Sequence, residues 1–378
     1  MDFISIKEWI SMMTVCEKGQ CAGCGACVDK CALNAIKIKD SNNCYDAVID
    51  SVKCISCNAC HSICPNNNMP KLSKTLLWKQ GWADDNSIRM NSSSGGVASA
   101  IELEFIKRGG VVSSCCFSSG EFKFDIASTV QDVKGFTGSK YVKSNPEGIY
   151  KMIQMELKNN KKLLFVGLPC QVAAVKNFIG ESENLYTIDL ICHGTPSPEI
   201  LRLFLRENNL NLDELNDIRF REKNKFRLKA DNKYFSSPIT TDNYITTFLD
   251  GISYTENCYK CKFAQRDRVG DITLGDSWGS ELEQEVKEQG VSLILCQTPK
   301  GKELLQHTKL ILKDVDLNKA IENNHQLVHP TYKPKQRKKF FFELKKKGNF
   351  KRAFVKCYLH IYIKNVIKTI AFKLKLYR

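Results

Sequence analysis

Cys21-Ala-Gly-Cys24-Gly-Ala-Cys27-Val-Asp-Lys-Cys31 and Cys54-Ile-Ser-Cys57-Asn-Ala-Cys60-His-Ser-Ile-Cys64-Pro65 carry one spacing twice. In each run C-x2-C-x2-C offers three thiolates from one tight loop, and a fourth Cys follows three residues later on the next turn. A cube of four irons needs four thiolates, and with this spacing the fourth Cys reaches the other cluster. The pattern therefore predicts one 4Fe-4S cluster on Cys21, Cys24, Cys27 and Cys64, and a second on Cys54, Cys57, Cys60 and Cys31. Zinc would ask for two CxxC pairs per site, and a disulfide framework has no reason to repeat one spacing twice. Ala32 stands where the motif usually has Pro, which alters the turn and not the ligand count.

Working outward, the two runs occupy only residues 14–70 of a 378-residue chain that is 43% apolar, so a larger body with its own core must follow. Eighteen cysteines are too sparse for a disulfide-stapled secreted protein, and most fall in cluster spacings. The first residues, Met-Asp-Phe-Ile-Ser-Ile-Lys-Glu-Trp-Ile, lack the basic region and long apolar stretch of a signal peptide. The expected setting is a reducing cytoplasm, in a cell that tolerates little oxygen, and no charge-free apolar window is long enough to span a membrane. Residues 331–378 hold sixteen Lys or Arg against one Glu, so the formal charge of +15 belongs to the tail and the rest is neutral. Nothing in the body argues for nucleic acid.

From 71 to 92, Pro70 and the Asp-Asn content read as a polar connector. Ser92-Ser-Ser-Gly-Gly96 then precedes an apolar periodic stretch, Val97, Ile101, Phe105 and Ile106, that predicts a helix ending at Gly109-Gly110. Glycines at a helix start let backbone amides approach an anion, although the same residues also make a plain cap. Val111–Phe117, Phe122–Ala127, Leu163–Gly167 and Leu185–Ile191 read as strands, with helices at Ile149–Leu157 and Ser197–Leu205. This is α/β, and such sheets bind ligands in loops at the carboxyl ends of their strands. Two of those loops carry cysteines, Gly167-Leu-Pro-Cys170-Gln171 and Cys192-His193-Gly194. With Cys258-Tyr-Lys-Cys261 they make a set of four, the number one more cubane needs, while a lone CxxC also suits half a zinc site or a redox dithiol. Cys115, Cys116, Cys296 and Cys357 read as core residues, and Cys16 and Cys44 as structural.

The order of these motifs, with Gly138-Ser139-Lys140-Tyr141, Asp189-Leu-Ile-Cys-His-Gly194 and Gly270-Asp-Ile-Thr-Leu-Gly-Asp-Ser-Trp-Gly279, resembles the family of coenzyme F-420 hydrogenase and dehydrogenase beta subunits over roughly residues 16–330. The resemblance implies FAD in the body, a third 4Fe-4S cluster on Cys170, Cys192, Cys258 and Cys261, and two-electron exchange with a small-molecule substrate. It also implies, for forms with a fused ferredoxin module, a setting in bacterial polysaccharide biosynthesis. On that basis the flavin is expected against Ser93, Ser94, Gly95, Gly96, Ser139, Lys140 and Tyr141. Lys140 would lie near phosphate or the reduced ring, and His193 would act as a proton donor or simply hydrogen-bond its loop. The expected architecture is α+β and α/β: a bacterial-type two-cluster ferredoxin module at 14–70, a connector at 71–92, an α/β flavin-binding body at 93–330 and a basic amphipathic helical tail at 331–378. The expected function is a ferredoxin-linked iron-sulfur flavoprotein oxidoreductase, with reduced ferredoxin or another electron carrier as partner. Alternatives are oxidation of a reduced deazaflavin coenzyme as the electron-input part of a complex, and an electron relay without catalysis. No GxGxxG follows a strand, so a nicotinamide site has no support.

In the tail, Arg352, Lys356, His360, Lys364 and Lys368 recur every four residues among Phe354, Leu359, Ile361, Tyr362, Val366, Ile370 and Phe372. That spacing predicts a helix with a basic stripe and a broad apolar face, which would lie on an anionic membrane or pack on the body.

Overall fold

The computed structural model describes residues 13–375. Its centre is an eight-stranded mixed sheet built from β1 (Leu77–Ala83), β2 (Val111–Ser118), β3 (Glu121–Ala127), β4 (Leu163–Gly167), β5 (Leu185–Leu190), β6 (Ile272–Asp276), β7 (Ser292–Cys296) and β8 (Leu310–Lys313). The spatial order is β8-β1-β7-β6-β5-β4-β2-β3. Only β2, β4, β5 and β6 run parallel; antiparallel strands close both sides. The continuous apolar runs Leu163–Gly167 and Ser292–Cys296 are buried along their whole length, as central strands covered on both faces must be. A polar residue at the heart of the sheet needs a partner, and Asp189 on β5 has one. Its carboxylate accepts from Arg268 Nη2 at 2.8 Å and from Thr273 on β6, both partners being all but inaccessible. Arg268→Ala would leave that carboxylate buried without a counter-charge, and the expected cost is about 3–5 kcal/mol. Thermal denaturation of the variant within about 1 kcal/mol of the parent would refute this.

One expectation is overturned outright. The segment 71–92 is no linker, because β1 runs through it and pairs with β7 and β8. The apolar residues Leu77, Trp78, Trp82 and Ala83 supply the strand, and the flanking Pro and Asn residues only mark its ends.

The cysteine-rich module is not a separate bead either. Each of its two runs places a left-handed residue, Gly25 (φ 73°) or Asn58 (φ 59°), before a five-residue helix, α1 (Ala26–Lys30) or α2 (Ala59–Ile63), and then an extended Cys31 or Cys64. α1 packs against the body. The Asp29 carboxylate accepts from the backbone N–H of Gly148 (2.8 Å) and Tyr150 (3.2 Å), capping α4 (Ile149–Lys158), and the Tyr150 hydroxyl donates to the Cys24 carbonyl. Val15, Ala26, Ile36 and Ile63 share one core with Ile153, Val175 and Phe178. α5 (Pro169–Ile179), which begins at Cys170's loop, is the body's side of this seam.

The tail forms two helices, α8 (Arg337–Lys347) and α9 (Phe350–Lys373). Phe350, Ala353, Phe354, Cys357 and Tyr358 are buried in a core with α6 (Pro198–Arg206) and α7 (Asn243–Leu249). The first half of α9 thus belongs to the body. Among the described residues no helix is long and apolar enough to cross a membrane.

Candidate functional site

Cys64, at the end of α2, joins Cys21, Cys24 and Cys27 around one small void, so the fourth thiol does cross from the second run to the first set. Cys16, read from sequence as structural, faces the same void. The second run has the same local geometry, and Cys54 and Cys57 act electrostatically on Cys60. Burial pushes Cys24 up to about 12 and raises Cys27, so these thiols give up protons only to a strong cationic ligand. The residues fit an iron-sulfur cube. Among the described residues no three His, Cys, Asp or Glu side chains converge on the single point that one ion requires.

The cysteines of the body gather from three distant stretches. Cys170 starts α5, Cys192 follows β5, and Cys258 and Cys261 lie on and just after the 3-10 turn Glu256–Lys260. Cys170 acts electrostatically on both Cys192 and Cys261, and Cys192 on Cys258 and Cys261. Burial lifts Cys192 to about 12 and raises Cys170 and Cys261. Four thiols gathered in this way have the donor set of a further cube. The sets also adjoin one another: Cys60 acts on Cys27, and Cys24 on Cys170. Sequence reasoning missed Lys143. It is buried with its ammonium donating to the Ala22 carbonyl (3.0 Å), and it favours the charged form of Cys24, Cys170 and Cys192 alike. Its cue, a lysine four residues after Ser139, is invisible without the fold.

Cys192 also lines a cavity of about 490 Å³ at the carboxyl ends of β4, β5 and β6. The N-terminus of α3 (Val97–Lys107) opens into it, preceded by Gly96 at φ 79°. The first N–H groups of a helix have no partner within it, so Val97, Ala98 and Ser99 offer donors to an anion. Ser93 Oγ accepts from the Ser139 N–H at 2.9 Å, tying the serine-glycine segment to the Gly-Ser-Lys-Tyr segment. Ser93, Ser94, Gly96, Ser139, Lys140 and Tyr141 all line the cavity. Gly95 does not. A Cβ there would meet the Gly81 carbonyl at 2.5 Å and the Ser292 amide at 2.8 Å, so this glycine exists to let the loop lie on β1 and β7.

Lys140 is half-buried, donating to the carbonyls of Phe136 (2.6 Å) and Thr137 (3.3 Å). Near it, burial lifts Glu102 from 4.5 to about 7, against the pull of Lys140 and Ser114. A carboxyl whose folded pKa exceeds its unfolded one binds more protons when folded, so its contribution is complete below about pH 4.5 and is lost as pH rises to about 7. Glu102→Gln should therefore flatten the stability profile across that window and stabilise the protein above it by on the order of 3 kcal/mol. Denaturation midpoints that keep the parental pH slope would sink the assignment.

Arg221, also in the cavity lining, makes a two-pronged ion pair with Asp276 (2.5 and 2.9 Å) and lies over the rings of Phe226 and Trp278. Beside Ser94, Lys223 donates to that residue's carbonyl at 3.1 Å, and burial together with Arg89 and Arg221 lowers it to about 8. An anion bound there would restore its charge. His193 keeps an accessible face in a largely enclosed position, and that enclosure, helped by His325, lowers it to about 4. Near neutrality it is an uncharged imidazole whose Nδ1 lies 2.7 Å from Gln326 Nε2, so it can donate a proton only from Nε2. Cys115, expected in the core, also lines the cavity.

Residues 160–316 match the family model for the C-terminal part of the coenzyme F420 hydrogenase/dehydrogenase beta subunit, and residues 20–68 match a 4Fe-4S dicluster domain. Residues 160–316 thus resemble the C-terminal part of those beta subunits. The chain combines a 4Fe-4S dicluster domain with a body related to coenzyme F420 hydrogenase and dehydrogenase beta subunits. It is 24% identical over 203 residues to the uncharacterized protein MJ1349 of Methanocaldococcus jannaschii, a match that covers 45% of this chain and 56% of that protein. To one of the subunits of the F(420)H(2) dehydrogenase of Methanosarcina mazei it is 23% identical over 282 residues, 69% of this chain and 78% of the other. A chain of the F420-reducing [NiFe] hydrogenase complex from Methanosarcina barkeri aligns at a TM-score of 0.47 and 17% identity, over 68% of this chain and 92% of that one. Cys170, Cys192, Cys258 and Cys261 all fall inside the span that the family model matches.

Proposed function

We propose that the chain passes electrons between a protein carrier, such as reduced ferredoxin, and a small organic substrate bound with FAD in the cavity. The observation that carries this reading is the unbroken succession of thiol sets: Cys57 is exposed at the surface, Cys60 adjoins Cys27, Cys24 adjoins Cys170, and Cys192 opens onto the cavity. Three cubes held by these sets would lead from the surface inward. FAD, when bound, supplies the conversion between one-electron carriers and two-electron substrate chemistry. The chain's own residues would hold it. The α3 N-terminus, Ser93, Ser94 and Lys223 suit its phosphates, and Ser139, Lys140 and Tyr141 its remaining polar edge. His193, neutral near pH 7, would orient a substrate by a hydrogen bond from Nε2, and Arg221 held flat by Asp276 would present a fixed positive charge to an acidic group. The cavity's lining does not select a sugar, so the polysaccharide setting rests on the family resemblance alone.

Around the outermost set, Val52 is 94% and Ile55 72% exposed, and from Ser51 to Ala83 the only charged side chains are Lys53, Lys71, Lys74 and Lys79. An acidic carrier fits such a rim. Anaerobic mixing of the flavin-loaded protein with reduced ferredoxin, reduced deazaflavin or NADH, followed at the flavin absorbance, tests the reading. Rapid bleaching by ferredoxin alone is the expected result. Bleaching only by the reduced deazaflavin would favour the alternative in which this chain is the electron input of a complex.

A further inference from the structure

The second half of α9 is built the wrong way round for a helix that packs on its own protein. Backbone dihedrals at Tyr358 (φ −130°, ψ 38°) break the helix, and the Tyr358 hydroxyl, donating to Asp250, pins the break to the body. Beyond it Ile361 and Tyr362 still pack on the body, and further along the contacts are polar: Asn365 Nδ2 donates to the Thr241 carbonyl (3.0 Å) and Thr369 Oγ1 to Ser237 Oγ (3.4 Å). The apolar side faces out. At 3.6 residues per turn Leu359, Ile363, Val366, Ile367, Ile370 and Leu374 fall within one arc of about 100°. All six are exposed, Leu359 at 55%, Ile367 at 61% and Leu374 at 63%. His360 and Lys364 follow the arc on one side and Lys373 borders it on the other.

We propose that residues 359–374 form a membrane-surface helix that seats this arc in the headgroup layer of an anionic bilayer. The charge decides the occupant. From residue 344 to the end there are eleven Lys or Arg and no Asp or Glu, so a second copy placed on the arc would face a surface of the same strong sign. Anionic lipid offers apolar depth and negative charge together, and basic residues flanking an apolar arc are the composition such helices use. The helix lies on the bilayer without crossing it, which agrees with its lysines and with its length. The inference is independent of the redox reading.

Flotation of the full chain with vesicles of phosphatidylcholine plus phosphatidylglycerol, and of phosphatidylcholine alone, tests it. The parent should float with the anionic vesicles, less so at high salt, and stay behind with the neutral ones. Ile363→Ser, Ile367→Ser and Ile370→Ser together should cut the bound fraction about tenfold. Because these side chains are exposed, iron content and circular dichroism should not change. Equal flotation of variant and parent, or a parent that ignores anionic vesicles, overturns the proposal. So does self-association in sedimentation velocity that the triple variant abolishes without any vesicle binding, since the arc would then belong to a second copy.

Discussion

Cys170→Ala will remove about four irons from a protein that otherwise holds about twelve, and will break the electron path in the middle. The position is singular because Cys170 is the body thiol that adjoins Cys24 of the first module set and also acts on Cys192 and Cys261. The module's own ligands should keep their two cubes, so eight irons and a ferredoxin-like electron paramagnetic resonance signal are expected to remain, again at about four irons per cube. Ferredoxin would still reduce those two cubes, while a flavin in the cavity would stay oxidised on the same timescale. Chemical analysis of anaerobically prepared protein decides the matter. An unchanged iron content would remove the third cube from the scheme, and loss of the module's irons instead would mean that the ligand sets are wrongly divided.

Deleting residues 1–70 should abolish folding of the body. A reading of the sequence alone, with its tidy boundary near 70, leads to the opposite expectation, that an isolated body would keep its cavity and bind FAD. The seam argues otherwise. Removing the module strips Asp29 from the cap of α4 and Cys24's carbonyl from the buried Tyr150 hydroxyl, and it exposes the side of α4 and α5 now covered by Val15, Ala26, Ile36 and Ile63. Val15, Ile36 and Ile63 each account for about 1.5–3 kcal/mol of burial, so these three together with the cap come close to a typical margin of about 5–15 kcal/mol. The truncated chain is expected in the insoluble fraction, or soluble without a cooperative unfolding transition. A soluble, cooperatively folding truncation that binds FAD would show that the seam is a dispensable contact.

The sequence was most informative where local chemistry needs no distant partner. A cube's demand for thiolates at fixed intervals made the dicluster module readable, and the strands at Leu163–Gly167 and Leu185–Leu190 followed from apolar runs. The α3 start followed from its glycines. The same local reading failed where a residue's role is set by something far along the chain. Gly95 looks like part of an anion cradle and is in fact a spacer against β1 and β7, a contact made across 197 positions by its N–H to Ser292 Oγ. The stretch 71–92 looks like a linker because its Pro and Asn residues stand out, but its strand is chosen by β7 and β8, which lie more than two hundred residues away.

What the sequence by itself determined is therefore the electron-transfer chemistry and the parallel strands whose loops carry Cys170 and Cys192. Tertiary structure alone decided how these parts connect. It brought Lys143 beside two thiol sets, put Arg221 on the cavity wall with Lys223 next to it, and turned most of the apolar side of α9 inward before Tyr358 and outward after it. The physical reason is that thiolate spacing and strand hydrophobicity are satisfied within a few residues, whereas burial, counter-charge and the choice of a helix's outer face exist only once distant segments have been folded together.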